Sequence, residues 1–197
     1  MADTYHTITA PAEAIYKEKM SKFLAFAHPA DTVTRAKEII AEYQKRYFDA
    51  RHVCWAYMVG ADRTTFLSSD NGEPSGTAGK PILGQINSLG LTDVVVVVVR
   101  YFGGIKLGTS GLIVAYRTAA REALDSAEIV ERHVETDISI TFPYLSMNDV
   151  MKLTKRPGVR IVSQAFDNTC TLTLRTRADD APALLSALAD IDGVSID

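Results

Sequence analysis

Apolar residues recur every three or four positions in two long stretches of the first 127 residues, a spacing typical of amphipathic helices. The first stretch follows Asp31, a candidate helix N-cap, and its apolar positions are Val33, Ala36, Ile39, Ile40, Tyr43 and Tyr47. The second stretch runs from Leu112 to Leu124. A shorter one, from Ile82 to Leu89, predicts a third helix that ends near Gly90.

Strand-like patterns occupy the segments around these helices. Mixed apolar and polar alternation predicts strands over Tyr5–Ile8, Ala14–Lys19, Lys22–His28, His52–Gly60 and Phe66–Ser68. Six consecutive valines, Val94–Val99, predict another strand, since β-branched residues favour extended backbone. Because no polar residue interrupts this run, we expect the strand to be buried on both faces.

The pattern changes near Ser126–Glu128. From there it predicts, in order, a strand, a helix, two strands, a helix and a short strand, over Ile129–Phe142, Ser146–Lys155, Val159–Phe166, Thr169–Thr176, Asp180–Ala189 and Val194–Ile196. This β-α-β-β-α-β order is that of ferredoxin-like domains. We therefore place a domain boundary near residue 127 and predict two domains, residues 1–127 and residues 128–197.

Composition and charge narrow the class of protein. Of 197 residues, 47% are hydrophobic and 23% charged, which is typical of a folded globular chain rather than a disordered or fibrous one. The net charge is −3, with no basic excess that would favour non-specific nucleic-acid binding. Residues 1–127 carry 14 basic and 13 acidic side chains, and residues 128–197 carry 7 and 11. An anion, if bound, should therefore bind to a local patch of the larger domain.

The sequence predicts a cytoplasmic protein without membrane contact. Its two cysteines, Cys54 and Cys170, are far apart in the chain, which suits a reducing compartment better than a disulfide framework. The N-terminal segment has no apolar core typical of a secretory signal. The valine run is far shorter than the ~20 apolar residues of a membrane span.

A first candidate site is the polar, glycine-rich segment Ser69–Lys80. Glycines let a backbone approach a ligand closely, and successive N–H groups can form a nest for an anion. The segment precedes a predicted helix, whose N-terminus favours negative charge. We select as candidate ligand-binding residues Asp70, Glu73, Ser75, Gly76, Thr77 and Lys80. The alternative is a solvated connection whose polar residues only form turns.

A second candidate site follows the valine strand, over Arg100–Gly111. The segment superficially matches a P-loop, but Thr109 stands where that motif has its phosphate-binding lysine, so we reject a nucleotide triphosphatase. A looser anion site remains, formed by Arg100, Gly103, Gly104, Lys106 and Gly108. The alternative is a strand-end turn in which Arg100 forms a structural ion pair.

A third constellation is His52 and Cys54, which point to the same face of a strand. A Cys–His pair can generate a nucleophilic thiolate, but Cβ atoms ~7 Å apart are too distant for direct hydrogen bonding. We therefore expect a packed strand pair. If the two glycine-rich loops meet, Glu73 is a candidate acid or base assisted by His52. No ligand spacing typical of zinc sites occurs, and we predict neither a metal nor another cofactor.

Three long segments closely resemble the YigZ/IMPACT family: HVCWAYMVG, SSDNGEPSGTAGKPIL and VVVVVVRYFGGIKLGTSGLIVAY. The resemblance covers roughly residues 15–127, and the last 70 residues are similar to the small C-terminal domain of bacterial members. It implies an α+β chain. The N-terminal domain would be a ribosomal-protein-S5-domain-2-like α/β sandwich. The ferredoxin-like C-terminal domain would be similar to the last domain of elongation factor G.

The resemblance also implies a role in translation. Eukaryotic relatives look like regulators of translation under stress that bind an activator of an initiation-factor kinase, through an additional N-terminal domain that we do not expect here. We therefore predict a regulatory protein, not an enzyme, whose N-terminal loops bind RNA, the ribosome or a translation-regulating protein. One alternative is an enzyme or sensor for a small phosphorylated or nucleotide-like ligand. Another is protein binding through the ferredoxin-like sheet, which would then expose apolar residues.

Overall fold

A computed structural model of the protein describes residues 3–197. The chain forms two compact units, one of residues Tyr5–Arg132 and one of His133–Asp197 together with Asp3 and Thr4. Both units combine strands with helices, which confirms the predicted α+β class. Within residues 3–197, no helix is long and apolar enough to cross a membrane.

The larger unit is built on a five-stranded antiparallel sheet with the strand order β2-β3-β6-β4-β5. Its elements in chain order are β1 (Thr4–Ile8), β2 (Ala12–Glu18), β3 (Ser21–Pro29), α1 (Val33–Arg46), β4 (His52–Val59), β5 (Thr65–Ser69), α2 (Gly79–Ser88), β6 (Val94–Tyr101), α3 (Gly108–Asp125) and β7 (Ile129–His133). Strands β1 and β7 pair as a separate two-stranded sheet.

The valine strand β6 lies at the centre of this sheet, and all six valines are fully buried. Val94, Val96 and Val98 pack in one core with α2 and α3. The intervening valines, at positions 95, 97 and 99, pack in a second core with α1. Burial on both faces is therefore confirmed, and its cause is a helical layer on each side of an antiparallel sheet.

The smaller unit consists of β8 (Glu135–Phe142), α4 (Met147–Thr154), β9 (Arg160–Phe166), β10 (Cys170–Arg177), α5 (Ala181–Ala189) and β11 (Ser195–Ile196). Its antiparallel sheet has the order β11-β8-β10-β9. One core fills the space between this sheet and the two helices. The edge strand β9 is exposed throughout, including the side chains of Ile161, Val162 and Phe166.

Two local predictions were wrong. Thr32, not Asp31, caps α1, because Thr32 has extended backbone and its hydroxyl accepts a hydrogen bond from the Arg35 N–H at 3.1 Å. The single strand predicted over Ile129–Phe142 is two strands, β7 and β8. They separate at Val134 because β7 pairs with β1, whereas β8 pairs with β10 and β11.

Candidate functional site

The loop between β5 and α2 is organised around the Asp70 carboxylate. Its oxygens accept backbone hydrogen bonds from Gly76 at 2.8 Å, Ala78 at 3.0 Å and Gly79 at 2.8 Å. Burial alone would raise the pKa of Asp70, but the three N–H donors and the positive charge of Lys80 together outweigh it and lower that pKa. The nest and helix N-terminus in which we expected an external anion therefore hold the chain's own carboxylate.

The remaining candidates of this loop have separate surroundings. The Thr77 hydroxyl is buried and donates to the Pro74 carbonyl at 2.6 Å, whereas Ser75 and Lys80 are exposed. At Gly79 a Cβ atom would lie 2.8 Å from the Ser69 nitrogen, so only glycine lets α2 begin this close to β5. Loop closure explains the glycines here without a ligand.

The loop between β6 and α3 packs against the β2–β3 hairpin. A Cβ atom at Gly103 would clash with the Met20 backbone carbonyl group, so glycine is required there. Gly104 and Gly108 have φ angles of 88° and 73°, which side chains rarely adopt. Lys106 is exposed and lies between these two glycines, whose backbone is in the left-handed region.

The two glycine-rich loops meet through a buried ion pair. Arg100, on β6, donates from Nη1 to the Oε1 atom of Glu73 at 2.6 Å, and the Tyr116 hydroxyl, on α3, donates to the same oxygen at 2.7 Å. The Arg100 guanidinium also lies over the rings of Phe23 and Phe102, at 5.6 and 5.5 Å from their centroids. The carboxylate is thus held rigidly by residues from two secondary-structure elements.

His52 lies beside this ion pair at the start of β4. Its Nδ1 is 2.8 Å from the Asn71 carbonyl oxygen, and its Nε2 is 3.6 Å from the Oε2 atom of Glu73. Because a carbonyl oxygen only accepts, Nδ1 carries the proton of that hydrogen bond. The Asn71 side chain accepts from the Val53 N–H at 3.0 Å, which fixes the turn that orients the imidazole.

Cys54 is fully buried behind His52. Its thiol donates to the Asp70 carbonyl at 3.0 Å, and the sulfur lies 3.4 Å from the Tyr116 hydroxyl oxygen rather than against His52. Burial raises the pKa of Cys54 to about 12 and also raises the pKa of Tyr116. These surroundings favour the neutral thiol over the thiolate that nucleophilic catalysis needs, so we assign no catalytic role to Cys54.

A cleft of about 480 Å³ opens above the ion pair. Of the residues selected from the sequence, those that line it are His52, Glu73, Arg100, Lys106 and Gly108. Those outside its lining are Cys54, Asp70, Ser75, Gly76, Thr77, Lys80, Gly103 and Gly104. The structure therefore brings five of the thirteen selected residues together in the cleft lining and leaves the other eight outside it.

Among the charged and aromatic residues of this site, sequence reasoning missed Arg51, Phe102 and Tyr116. Arg51 and Phe102 line the cleft, with the guanidinium 5.6 Å from the ring centroid. Tyr116 was assigned only to the apolar face of the predicted helix from Leu112 to Leu124, although a fully buried tyrosine needs a hydrogen-bond partner for its hydroxyl. That requirement is the one signal in the sequence that pointed to a buried polar group.

The cleft carries more positive than negative charge. Among the described residues that line it, Glu73 is the only acidic one, whereas Arg51, Arg100 and Lys106 are basic. Neither Arg51 nor Lys106 forms an ion pair with a residue that the structure describes. Arg100 Nε is buried and has no hydrogen-bond partner within residues 3–197. No group of three or more potential ligand residues that could hold a metal occurs in the described chain.

Comparison with known proteins identifies the family. Residues 19–124, more than half of the chain, match the Impact N-terminal domain. The chain belongs to the IMPACT family. It is 31% identical over 189 residues to the IMPACT family member YigZ of Escherichia coli, which covers 95% of this chain and 93% of YigZ. The resemblance inferred from the three long segments is confirmed.

Two solved structures show how this IMPACT family member compares in three dimensions. The match to the crystal structure of a hypothetical protein covers all of this chain and 97% of the other chain, with 29% identity and a TM-score of 0.81. The match to the structure of the two-domain translational regulator Yih1 covers 62% of this chain and 47% of the Yih1 chain, with 26% identity and a TM-score of 0.37. All residues that line the cleft lie within the matched IMPACT segment.

Proposed function

We propose that this IMPACT family member is a translation-associated regulatory protein that binds RNA, free or in the ribosome, through the cleft between its two glycine-rich loops. The observation that carries the proposal is the pair of exposed cations in the cleft, Arg51 and Lys106, neither of which has an ion-pair partner among the described residues. Glu73 neutralises Arg100, and the other two cations remain available to phosphate groups.

The charge distribution favours a local rather than a broad contact. The whole chain carries a net charge of −3, so its surface as a whole does not attract a polyanion. Phosphates would instead contact the few cations of the cleft. RNA binding should therefore involve few phosphates and show a correspondingly modest salt dependence.

The test is the affinity of a fluorescently labelled single-stranded RNA at about 50 mM and about 200 mM salt, with ribosome co-sedimentation alongside. Arg51→Ala and Lys106→Ala should weaken binding, each lowering the slope of log affinity against log salt by about 0.7. Lys37→Ala is the matched control, since Lys37 is an exposed lysine on α1 outside the cleft. Absence of RNA and ribosome binding, or equal effects of all three variants, would overturn the proposal.

A second candidate function is an enzyme or sensor for a small phosphorylated or nucleotide-like ligand. The cleft volume of about 480 Å³ favours it, because sites for small molecules have ~300–1,000 Å³. Calorimetric titration with mononucleotides separates the two candidates. Binding of mononucleotides without binding of RNA would support the second.

We further propose that the smaller unit has the ferredoxin-like fold, similar to the last domain of elongation factor G. The order β11-β8-β10-β9, all antiparallel, with α4 and α5 as the connecting helices, supports it. For the larger unit we propose the ribosomal-protein-S5-domain-2-like fold. Superposition of an experimental structure on both reference domains tests these assignments.

A further inference from the structure

His52 presents a hydrogen-bond acceptor to the cleft. Its Nδ1–H is committed to the Asn71 carbonyl at 2.8 Å, so the neutral ring has its lone pair on Nε2. The ring cannot easily turn away, because Asn71 is itself held by the Val53 N–H and has a left-handed φ of 42°. His52 lines the cleft and its side chain is 14% exposed, so a ligand can reach it.

Glu73 provides a second acceptor directly opposite. Its Oε1 atom already accepts from Arg100 and Tyr116, and its Oε2 atom lies 3.6 Å from His52 Nε2. That separation is longer than a hydrogen bond, so in the neutral ring the Nε2 lone pair is free to accept from a ligand. A hydroxyl group suits the position, since it donates one proton and brings no charge to the buried ion pair.

Donors for an anion line the same cleft. Arg100 Nε has no hydrogen-bond partner among the described residues, and the Arg100 side chain is only 6% exposed. Arg51 and Lys106 add two exposed positive charges, and the half-exposed Phe102 ring beside Arg51 offers a face for a planar group. The cleft thus combines acceptors for a hydroxyl with donors for an anion.

We propose that the cleft recognises a ribose phosphate, with a ribose hydroxyl donating to His52 and the neighbouring phosphate accepting from Arg100, Arg51 and Lys106. In RNA the 2′-hydroxyl adjoins the 3′-phosphate, so one nucleotide supplies both groups, whereas DNA lacks the hydroxyl. The inference rests on the proposed function and adds that the protein distinguishes RNA from DNA. His52 is the residue that distinguishes RNA from DNA. The cations contribute to the affinity for both but not to the selectivity.

The experiment measures the affinity of three labelled oligomers of identical sequence: oligouridine, its 2′-deoxy form and its 2′-fluoro form. The 2′-fluoro sugar keeps an RNA-like pucker but cannot donate a hydrogen bond. The wild-type protein should bind the RNA oligomer on the order of tenfold more tightly than either analogue. Since this comparison alters only the ligand, it does not depend on the stability of any variant.

Two variants separate selectivity from affinity. His52→Ala should lower the affinity for RNA to that for DNA and leave DNA binding unchanged. Lys106→Ala should weaken both by the same factor and so preserve the ratio. Wild-type protein that binds RNA and the 2′-fluoro oligomer equally well overturns the hydroxyl inference, while RNA binding itself still stands.

Uridine 3′-monophosphate tests whether the ribose phosphate that the cleft recognises belongs to an RNA chain or to a free nucleotide. Binding of this mononucleotide, lost in His52→Ala, without binding of any oligomer supports ribose-phosphate recognition and overturns RNA as the partner. Binding of neither mononucleotide nor oligomer overturns both proposals.

Discussion

The Nη1 atom of Arg100 lies 2.6 Å from the Oε1 atom of Glu73, and both side chains are more than nine-tenths buried. Glu73 lies in the loop between β5 and α2 and Arg100 lies on β6, 27 positions further along the chain. Their pairing joins two of the three segments that carry the family resemblance, and both residues line the cleft. Stability and ligand binding are therefore expected to depend on the same contact.

We predict that Glu73→Gln lowers the free energy of unfolding by about 3–5 kcal/mol, because it leaves the Arg100 charge buried without a counter-ion. Urea unfolding followed by the fluorescence of the single tryptophan, Trp55, measures this loss. Glu38→Gln is the control, since its ion pair with Arg35 is exposed and should contribute at most about 1 kcal/mol. Similar losses in the two variants would show that the buried pair is not a major stabilising contact.

Two glycine substitutions should have opposite effects. Gly103→Ala would drive a Cβ atom into the Met20 carbonyl, so we expect it to displace the loop, lower the melting temperature and weaken ligand binding. Gly84→Ala, inside α2 with open space around it, should raise stability by about 0.4–1 kcal/mol. Thermal unfolding of both variants checks the prediction. A harmless Gly103→Ala would contradict the close packing of this loop against the β2–β3 hairpin.

Asp70→Asn should destabilise the protein by about 1–3 kcal/mol, because it weakens three hydrogen bonds from backbone N–H groups to a charged acceptor. The folded state lowers the pKa of Asp70, so its contribution is present above the unfolded value of ~3.9 and is lost as pH falls through the folded value. The difference in stability between wild type and variant should therefore shrink in acid. Unfolding measured from about pH 7 to about pH 3 tests it. A constant difference would contradict the prediction.

The Cys54 thiol should not react with thiol reagents in the native state, since burial raises its pKa to about 12 and little thiolate forms near neutral pH. A Cys170→Ala variant isolates it, because Cys170 is the second cysteine of the chain and is also buried. Colour development with an aromatic disulfide reagent should be slow in buffer and rapid in denaturant. Rapid labelling of the native protein would restore Cys54 as a candidate nucleophile.

The periodic elements could be predicted from the sequence because their signals are local. The apolar residues from Val33 to Tyr47 share one face only in a helix, and the β-branched run Val94–Val99 favours a strand. The predicted helix and the predicted strand are both confirmed. Boundaries were less predictable. Both Asp31 and Thr32 can cap a helix, and only the backbone geometry selects Thr32.

The site could be predicted only in part. Its two loops were identified from their glycines and charged residues, but their contact depends on strand register. Strand pairing places His52 and Phe23 opposite Arg100 on its two neighbouring strands, a long-range relation that no local pattern encodes. Arg51 and Phe102 adjoin the ends of these paired strands, and Tyr116 enters the site because α3 packs against the sheet.

The sequence by itself determined the helices, most of the strands, the family and the two loops, since periodicity and glycine content act over a few neighbouring residues. Tertiary structure decided which charges neutralise one another. It placed Asp70 in the nest of N–H groups and Glu73 on Arg100, because burial makes an unpaired charge costly and packing brings distant partners together. What remains is a cleft with Arg51 and Lys106 at its mouth and an acceptor on His52, and only the folded chain defines it.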